Sequence, residues 1–347
     1  IIVHMVVRQL LQCQKKNWRK NSRGLYNMKK PLVILTGPTA VGKTKASIGL
    51  AKAIGGEIIS ADSMQVYKQM DIGSAKIKPS EMDGIPHYLV DILEPDEEFH
   101  VVLFQQMAKQ AIQKIYEKGK IPILVGGTGF YIQAVLYDID FSENEKDTSY
   151  REELEKLAQT KGAEYLHDRL REVDEKSAQD IHANNVKRVI RALEYFHQTG
   201  EKISEHNEEQ RKKVSPYNFS YFVLNDERAH LYERINLRVD QMINEGLVRE
   251  VQSLKEKGYT RDMVSMQGLG YKEMLDYLDN KCSLEEAVEI IKRDTRHFAK
   301  RQITWFKRES DVTWIDKKEY DYNEERILKA MLQELKERGI INEYNNG

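Results

Sequence analysis

The chain has 347 residues, enough for one large hydrophobic core or for one core with a smaller attached domain. Lys and Arg number 54 and Asp and Glu 55, so the net charge is -1 and does not indicate an acidic partner. A surface that binds nucleic acid would have to come from local clustering of basic side chains. The two cysteines exclude a disulfide framework and a cysteine-rich zinc site, and no apolar run is long enough for a membrane span. We therefore expect a soluble, cytoplasmic protein with no membrane partner.

The first 27 residues contain basic side chains and no acidic one. This composition resembles an organelle transit peptide, which is rich in Arg and poor in acids. We favour a disordered leader or upstream extension over residues 1–27, because the chain lacks an initial Met and a folded pattern begins just after Met28.

Short apolar runs alternate with amphipathic stretches from Pro31 onward. Strands are predicted at PLVILTG, EIISAD, HYLVDIL and IPILVGG, with helices over about 44–54 and 101–118 between them. Near-continuous apolar strands separated by helices indicate a parallel sheet covered on both faces.

The pattern changes in the middle of the chain, where charged amphipathic segments replace the apolar strands. We predict an all-helical insertion over 142–213 between two parts of an α/β core at 28–141 and 214–320. Residues 321–347 are predicted to form a C-terminal helix and tail. Its expected buried side chains are Leu328, Met331, Leu332 and Leu335.

Four further segments are predicted in the second part of the core. NFSYFVLND predicts a strand that rejoins the sheet. Two long helices follow, HLYERINLRVDQMINEGLVREVQSLKEKG and SLEEAVEIIKRDTRHFAKRQITWFKR, on either side of a predicted loop, MVSMQGLGYKEM.

The segment GPTAVGKT follows the first strand and matches the phosphate-binding pattern G-x-x-x-x-G-K-[ST]. Backbone N–H groups at the helix start would face phosphate oxygens, Lys43 would add a positive charge, and the Thr44 hydroxyl would reach a metal ion. The candidate diphosphate- or nucleotide-binding residues are Gly37, Pro38, Thr39, Ala40, Val41, Gly42, Lys43 and Thr44. The predicted fold class is therefore α/β, a P-loop NTPase-like parallel sheet with helices on both faces and an all-helical insertion domain.

A kinase or NTPase usually carries an acid at the end of a second apolar strand, where it helps to hold the metal. The strand IPILVGG ends instead in Gly126, Gly127 and Thr128. Asp62 ends a different strand and is followed by SMQVY, which suits a planar substrate as well as a metal. The pattern alone leaves open both a kinase and an enzyme that releases diphosphate.

Six ordered blocks resemble the bacterial type of the tRNA dimethylallyltransferase (tRNA isopentenyltransferase) family: GPTAVGKT, SADSMQVY, GGTGFY, NNVKRVIRALE, QGLGYKEM and TRHFAKRQITWF. The resemblance spans about Lys30 to Asp316. It implies transfer of a dimethylallyl group from dimethylallyl diphosphate to N6 of the adenosine just 3′ of the tRNA anticodon, with Mg²⁺ and release of diphosphate. It also implies a P-loop core that carries a helical insertion.

The resemblance further implies residue roles. Asp62 is the expected base for the N6 proton, Thr128 and Arg238 are expected at the diphosphate, and Thr44 is expected on Mg²⁺. Without the resemblance, Asp62 could cap a turn, Thr128 could cap the following helix, and Arg238 could form a surface salt bridge. The residues expected to contact tRNA are Asp62, Ser63, Met64, Gln65, Arg151, Lys187, Arg188, Arg191, Arg293, Arg296 and Lys300.

Charge spacing supports an RNA surface on the last long helix. Arg293, Arg296 and Lys300 recur at intervals of three and four, so they lie on one helical face. Trp305 or Phe306 could stack on a base, although an aromatic at this spacing is more often part of a core.

Three other functions remain open at the level of sequence. An adenylate isopentenyltransferase would perform the same chemistry on free AMP or ATP, a P-loop small-molecule kinase would move a phosphoryl group, and a non-enzymatic protein would only bind RNA. The basic helix and the insertion favour tRNA, bound through its anticodon stem-loop, over a free nucleotide as the substrate. We expect the protein to be a monomer. The intact Lys43 and Thr44 disfavour the non-enzymatic alternative.

Overall fold

One six-stranded sheet organises the larger part of the structure, a computed structural model that describes residues 29–141 and 149–342. Its strands are β1 (Lys30–Thr36), β2 (Gly56–Ser60), β3 (His87–Tyr88), β4 (Ile121–Gly126), β5 (Tyr217–Asn225) and β6 (Thr313–Asp316). They lie in the order β3-β2-β4-β1-β5-β6, and every neighbouring pair is parallel. The predicted α/β class with a parallel sheet is confirmed.

Helices connect these strands, and the chain divides into two compact units. The larger unit comprises the chain up to Val135 and from Pro216 onward, and the smaller unit is Leu136–Ser215. The first three helices are α1 (Lys43–Ile54), α2 (Val101–Glu117) and α3 (Gly129–Leu136). The smaller unit contains α4 (Ser149–Lys161), α5 (Ala163–Val173), α6 (Glu175–Asp180), α7 (Val186–Thr199) and α8 (Ile203–Arg211). The larger unit continues with α9 (Arg228–Glu245), α10 (Leu247–Glu256), α11 (Tyr271–Leu278), α12 (Leu284–Phe306) and α13 (Glu324–Glu337).

Strand β1 lies inside the sheet. Val33 is opposite Ile123 of β4 on one side and opposite Ser220 of β5 on the other. Residues 32–36 are fully buried, as expected for a parallel strand whose two faces are both covered by helices. The carboxyl end of β1 leads directly into the phosphate-binding segment.

The C-terminal helix α13 completes the core on one face of the sheet. Met331 and Leu335 are buried in the same apolar cluster as Val33 of β1, and Leu328 and Leu332 pack against this cluster while partly exposed. The side chains predicted for the buried side of this helix therefore do face the core.

The smaller unit has a core of its own. Asp174 lies at the start of α6 and accepts hydrogen bonds from the backbone N–H and hydroxyl groups of both Ser177 and Ser204. Burial opposes ionisation of this carboxyl, but the four hydrogen bonds outweigh it and lower the pKa of Asp174. The apolar cluster beside it contains Leu154, Leu166, Leu170, Val189, Ile190 and Leu193. The start of the predicted insertion, residues 142–148, lies outside the described residues.

The third predicted strand is wrong in its length. Of HYLVDIL, only His87 and Tyr88 pair with β2. Leu89 and Asp91 have φ angles of 61° and 60°, which turn the chain out of the extended conformation.

The second part of the core also differs from the prediction in three places. The first long helix is two helices, α9 and α10, because Gly246 between them is left-handed with a φ angle of 106°. The predicted loop around QGLGYKEM contains the start of α11, at Tyr271. Strand β6 was not predicted.

Candidate active site

The phosphate loop, residues Gly37–Thr44, joins β1 to α1. Gly37 has a φ angle of 144°, and a Cβ atom on it would lie 2.4 Å from the carbonyl oxygen of Leu224, so no other residue fits without displacing β5. Gly42 is left-handed and directs the chain into α1, which begins at Lys43. The N-terminus of α1 has no side-chain cap among the described residues, so its N–H groups and positive dipole end are available to an anion.

The ammonium group of Lys43 lies inside this loop. Its Nζ donates to the carbonyl oxygens of Gly37 and Pro38, each at 2.9 Å. Burial lowers the pKa of Lys43 to about 8; Asp62 opposes this shift and Arg238 adds to it. A bound anion would therefore meet a poorly compensated positive charge.

Three side chains from outside the phosphate loop form hydrogen bonds with its backbone. The Gln302 Oε1 atom accepts from the N–H of Thr39 at 2.8 Å, and the Gln302 Nε2 atom donates to the carbonyl of Gly127 at 2.9 Å. Gln302 thus links the phosphate loop to the Gly-Gly-Thr turn that follows β4.

The other two supports are cations on adjacent carbonyl groups of the loop. Arg234 Nε donates to the carbonyl oxygen of Ala40 at 2.8 Å, and Lys317 Nζ donates to that of Val41 at 3.3 Å. Both contacts polarise peptide groups whose N–H ends belong to the loop.

Sequence reasoning did not single out these three supports. Gln302 could have been found, because it is a buried polar residue between Ala299 and Phe306 on the buried side of α12. Arg234 lies one helical turn before Arg238 on α9, which places both on one face. No pattern in the sequence indicates Lys317.

Asp62 follows β2 and begins the segment Asp62–Gln65, which we call the base-reading loop after the role that the sequence resemblance implies for it. Its Oδ1 atom accepts from the N–H groups of Met64 at 2.8 Å and Gln65 at 3.3 Å. Within the described part of the chain, Oδ2 has no hydrogen-bond partner. The carboxylate therefore holds its own loop with one oxygen and leaves the other available.

The end of β4 holds Asp62 beside the phosphate loop. The N–H of Ala61 donates to Val125 at 2.7 Å, and the N–H of Thr128 donates to the carbonyl of Ala61 at 3.3 Å. Thr128 is partly exposed, and its carbonyl accepts from the first turn of α3.

Arg238 on α9 completes the group of charges. Burial lowers its pKa, the charge of Asp62 acts in the opposite direction, and Arg234 adds to the lowering. Because Asp62 acts electrostatically on both Lys43 and Arg238, the structure brings together one carboxylate and two cations from three separate segments.

Helix α12 presents a basic groove. A cavity of about 460 Å³ is lined by His297, Lys300, Arg301, Thr304, Trp305 and Arg308. Phe306 is fully buried, so of the two aromatic candidates for stacking only Trp305 lines the groove.

The basic side chains predicted on α12 differ in how freely they are exposed. Arg293 pairs with Asp294 at 2.8 Å, and Arg296 donates to the Asn236 Oδ1 atom at 2.6 Å. Lys300 is exposed and has no ion pair among the described residues.

The smaller unit carries the other predicted RNA contacts. Arg151 and Arg191 both approach the buried carboxylate of Glu194, at 2.6 Å and 3.6 Å. Lys187 and Arg188 are exposed in the first turn of α7 and form no ion pair with any described residue.

Neither a protein-built metal centre nor a membrane-spanning helix is found in residues 29–141 and 149–342. No group of three His, Cys, Asp or Glu side chains there could hold a metal ion, and no helix there is long and apolar enough to cross a bilayer. The Thr44 hydroxyl, exposed at the start of α1, fits a metal that is held chiefly by a bound diphosphate.

Residues 65–309 match the family model described as IPP transferase, which is more than half of the chain. The chain belongs to this family. It is 66% identical over 311 residues to a protein of Lachnoclostridium phytofermentans named tRNA dimethylallyltransferase, covering 90% of this chain and 99% of that protein. A Bacillus cereus protein of the same name is 53% identical over 304 residues, covering 87% and 95% of the two chains.

Solved structures agree with this family membership. The full-length tRNA isopentenylpyrophosphate transferase of Bacillus halodurans has 47% sequence identity and a TM-score of 0.67, covering 90% of this chain and 98% of that one. A eukaryotic dimethylallyltransferase described as acting on tRNA has 32% identity and a TM-score of 0.72, covering 83% and 74%. The resemblance found in the sequence is confirmed.

Proposed function

We propose that this protein transfers the dimethylallyl group of dimethylallyl diphosphate to N6 of the adenosine just 3′ of the anticodon in tRNA and releases diphosphate. The observation that carries this proposal is the grouping of the Asp62 carboxylate with the cations of Lys43 and Arg238. One side of such a site can take a proton while the other holds an anionic leaving group.

The reaction forms two bonds, N–C and the O–H bond on Asp62, and breaks two, C–O and N–H. The N6 lone pair attacks the allylic carbon, the bond between that carbon and the diphosphate oxygen breaks, and the Oδ2 atom of Asp62 takes the N6 proton. The N6 lone pair is delocalised into the purine, so removal of the proton restores that delocalisation as the N–C bond forms. General-base assistance of this kind is typically worth about 10²–10⁴-fold in rate.

Stabilising the negative charge that develops on the departing diphosphate is the larger catalytic task. We assign the stabilisation of this developing negative charge to Lys43, Arg238 and the N–H groups at the start of α1, since donors held by the fold need little reorganisation. We assign Thr128 a further contact to the diphosphate, through its position beside Asp62. A Mg²⁺ ion bound by the diphosphate and the Thr44 hydroxyl would neutralise further charge.

The RNA must reach this site with the target base outside its stack. Ser63, Met64 and Gln65 of the base-reading loop supply the groups that read the adenine. The exposed side chains on α12 supply contacts to phosphates of the anticodon stem-loop. In the smaller unit we assign the same task to Lys187, Arg188, Arg151 and Arg191. We infer that the enzyme works as a cytoplasmic monomer.

The decisive experiment uses the purified protein, Mg²⁺ and dimethylallyl diphosphate with unmodified tRNA and, separately, with AMP. We expect nucleoside mass spectrometry to find the isopentenyl mass gain on the adenosine beside the anticodon and none on AMP. Gain on AMP alone would identify a free-nucleotide enzyme, and gain on neither would contradict the proposal.

A matched pair of lysine variants tests the assignment of the phosphate loop. We expect Lys43→Ala to lose donor binding, because its ammonium lies inside the loop. Lys45→Ala should bind the donor normally, because Lys45 is exposed and pairs with Glu324 instead. Equal effects of the two changes would contradict the assignment.

A further inference from the structure

We propose that Tyr271 and Glu250 are positioning residues that hold the base-reading loop in the shape that selects adenine. This inference rests on the proposed function. It assigns a task to the QGLGY segment, which forms no hydrogen bond or ion pair with the phosphate loop among the described residues.

Glu250 of α10 binds the chain that follows the base-reading loop. Its carboxylate accepts from the N–H groups of Asp71, Ile72 and Gly73 at 2.9, 2.7 and 3.0 Å. Three consecutive N–H groups on one carboxylate fix the path of this segment, because charge-assisted hydrogen bonds are about twice as strong as neutral ones.

Tyr271 extends this grip by one residue. Its hydroxyl donates to the Glu250 Oε1 atom at 2.8 Å and accepts from the N–H of Ser74 at 3.2 Å. Burial, followed by the charge of Glu250, raises the pKa of Tyr271 well above its ordinary value, so the hydroxyl keeps its proton. The ring packs on Gly73, where a Cβ atom would lie 2.6 Å from ring carbons.

The next residue, Ala75, connects this anchor to the base-reading loop. Its carbonyl accepts from the Gln65 Nε2 atom at 3.2 Å, and the Gln65 Oε1 atom accepts from the Ser60 hydroxyl at 3.4 Å. These contacts fix the amide plane of Gln65 and leave it one N–H and one lone pair for a base edge.

Gly268 supports the same loop directly. A Cβ atom at this position would lie 2.4 Å from the Met64 Cε atom, so the absence of a side chain makes room for Met64. The QGLGY segment thus leaves room for Met64 at Gly268 and acts on Gln65 through Tyr271 and the Ser74–Ala75 backbone.

The test replaces Tyr271 by Phe, which keeps the ring on Gly73 and removes both hydrogen bonds. We expect KM for tRNA to rise about 5- to 30-fold. The preference for tRNA with adenosine over guanosine at the target position, measured as a ratio of dissociation constants, should fall by a similar factor. KM for dimethylallyl diphosphate should stay within about twofold of wild type, because the Tyr271 hydroxyl bonds Glu250 and Ser74 and no group of the phosphate loop.

Tyr116→Phe is the matched control, since it removes a tyrosine hydroxyl elsewhere in the structure. This hydroxyl donates to the Pro31 carbonyl oxygen at 2.8 Å, near the start of β1. It should leave both KM values and the base preference unchanged. If Tyr271→Phe behaves like this control, the inference is overturned. If wild type does not modify tRNA at all, the proposed function fails instead.

Two further variants test the inference in case Tyr271→Phe does not fold. Glu250→Gln replaces one of two accepting oxygens by an NH2 group that would face donors, so we expect a change in the same direction as for Tyr271→Phe. Gly268→Ala should displace Met64 and weaken base preference without altering donor KM. Two folded variants that retain the wild-type preference for adenosine would also overturn the inference.

Discussion

Asp62 combines two tasks that substitution can separate. Its Oδ1 atom caps the base-reading loop, and its Oδ2 atom is assigned the proton of N6. We expect Asp62→Asn to keep the cap and lower kcat about 10²–10⁴-fold, with tRNA affinity within a few-fold of wild type. Asp62→Ala should show the same loss in kcat together with weaker tRNA binding. Single-turnover rates and filter binding would measure both, and a wild-type kcat for Asp62→Asn would rule out this residue as the base.

Lys43 makes donor binding depend on pH. Its pKa of about 8 lies below the ordinary lysine value, because burial outweighs the opposing charge of Asp62. In the proposed function the ammonium form binds the diphosphate, so affinity is full below this pKa and is lost as the pH rises through it. We expect kcat/KM for dimethylallyl diphosphate to fall about tenfold between pH 7 and pH 9.

Lys43→Arg supplies the control for this pH dependence, since a guanidinium remains charged over the whole range. Its kcat/KM should be lower but flat with pH. A wild-type profile that is flat up to pH 9 would contradict the assignment of Lys43.

At the scale of single elements, α12 predicts a salt dependence. Lys300 is exposed and unpaired within the described residues, whereas Arg293 and Arg296 have partners that they must leave or share. We expect Lys300→Ala to flatten the dependence of log K on log salt by about one unit, and the triple change with Arg293 and Arg296 to flatten it further. Lys329→Ala, an exposed lysine on α13, should leave the slope unchanged.

Sequence predicted most of these elements because their causes are local. The continuous apolar run of β1 and the glycine pattern of the phosphate loop each depend on a few consecutive residues. The early end of β3 depends on the positive φ angles at Leu89 and Asp91, which hydrophobic periodicity does not register. The break at Gly246 was missed because the helical period continues across it.

The candidate site was predictable where one segment carries the chemistry. Lys43 and Thr44 follow from the spacing of one motif, and Asp62 and Arg238 from the family resemblance. The contact of Gln302 with Thr39 joins residues 263 positions apart, so only the fold reveals it. The same holds for Arg234 and Lys317, whose partners are backbone carbonyls that any sequence would supply.

At the scale of the whole molecule, Glu309 links stability to pH. Burial raises its pKa to about 7, although the hydrogen bond from Gln133 and the nearby indole of Trp305 act in the opposite direction. An unfolded chain ionises this carboxyl from about pH 4.5 upward, so the folded state binds more protons between these values and stability falls as the pH rises from about 4.5 to 7. We expect Glu309→Gln to gain about 1–2 kcal/mol at pH 8, allowing for partial exposure.

Urea unfolding at pH 5 and pH 8 would measure this effect. The gain should be present at pH 8 and nearly absent at pH 5. Glu319→Gln, a change at an exposed carboxyl, should have no such pH dependence, and a gain of equal size at both pH values would contradict the role given to Glu309.

The position of β1 in the sheet has a consequence for how the protein is made. Lys30 begins β1 and pairs with Tyr217 at the start of β5, so the smaller unit is synthesised between two strands that must meet. At a synthesis rate of about 5–20 residues per second, the edge of β1 that pairs with β5 stays unpaired for roughly ten seconds or more. During this time the edge can pair with another chain, whereas the smaller unit can already close its own core. We therefore expect the nascent chain to depend most on chaperones just before β5 emerges.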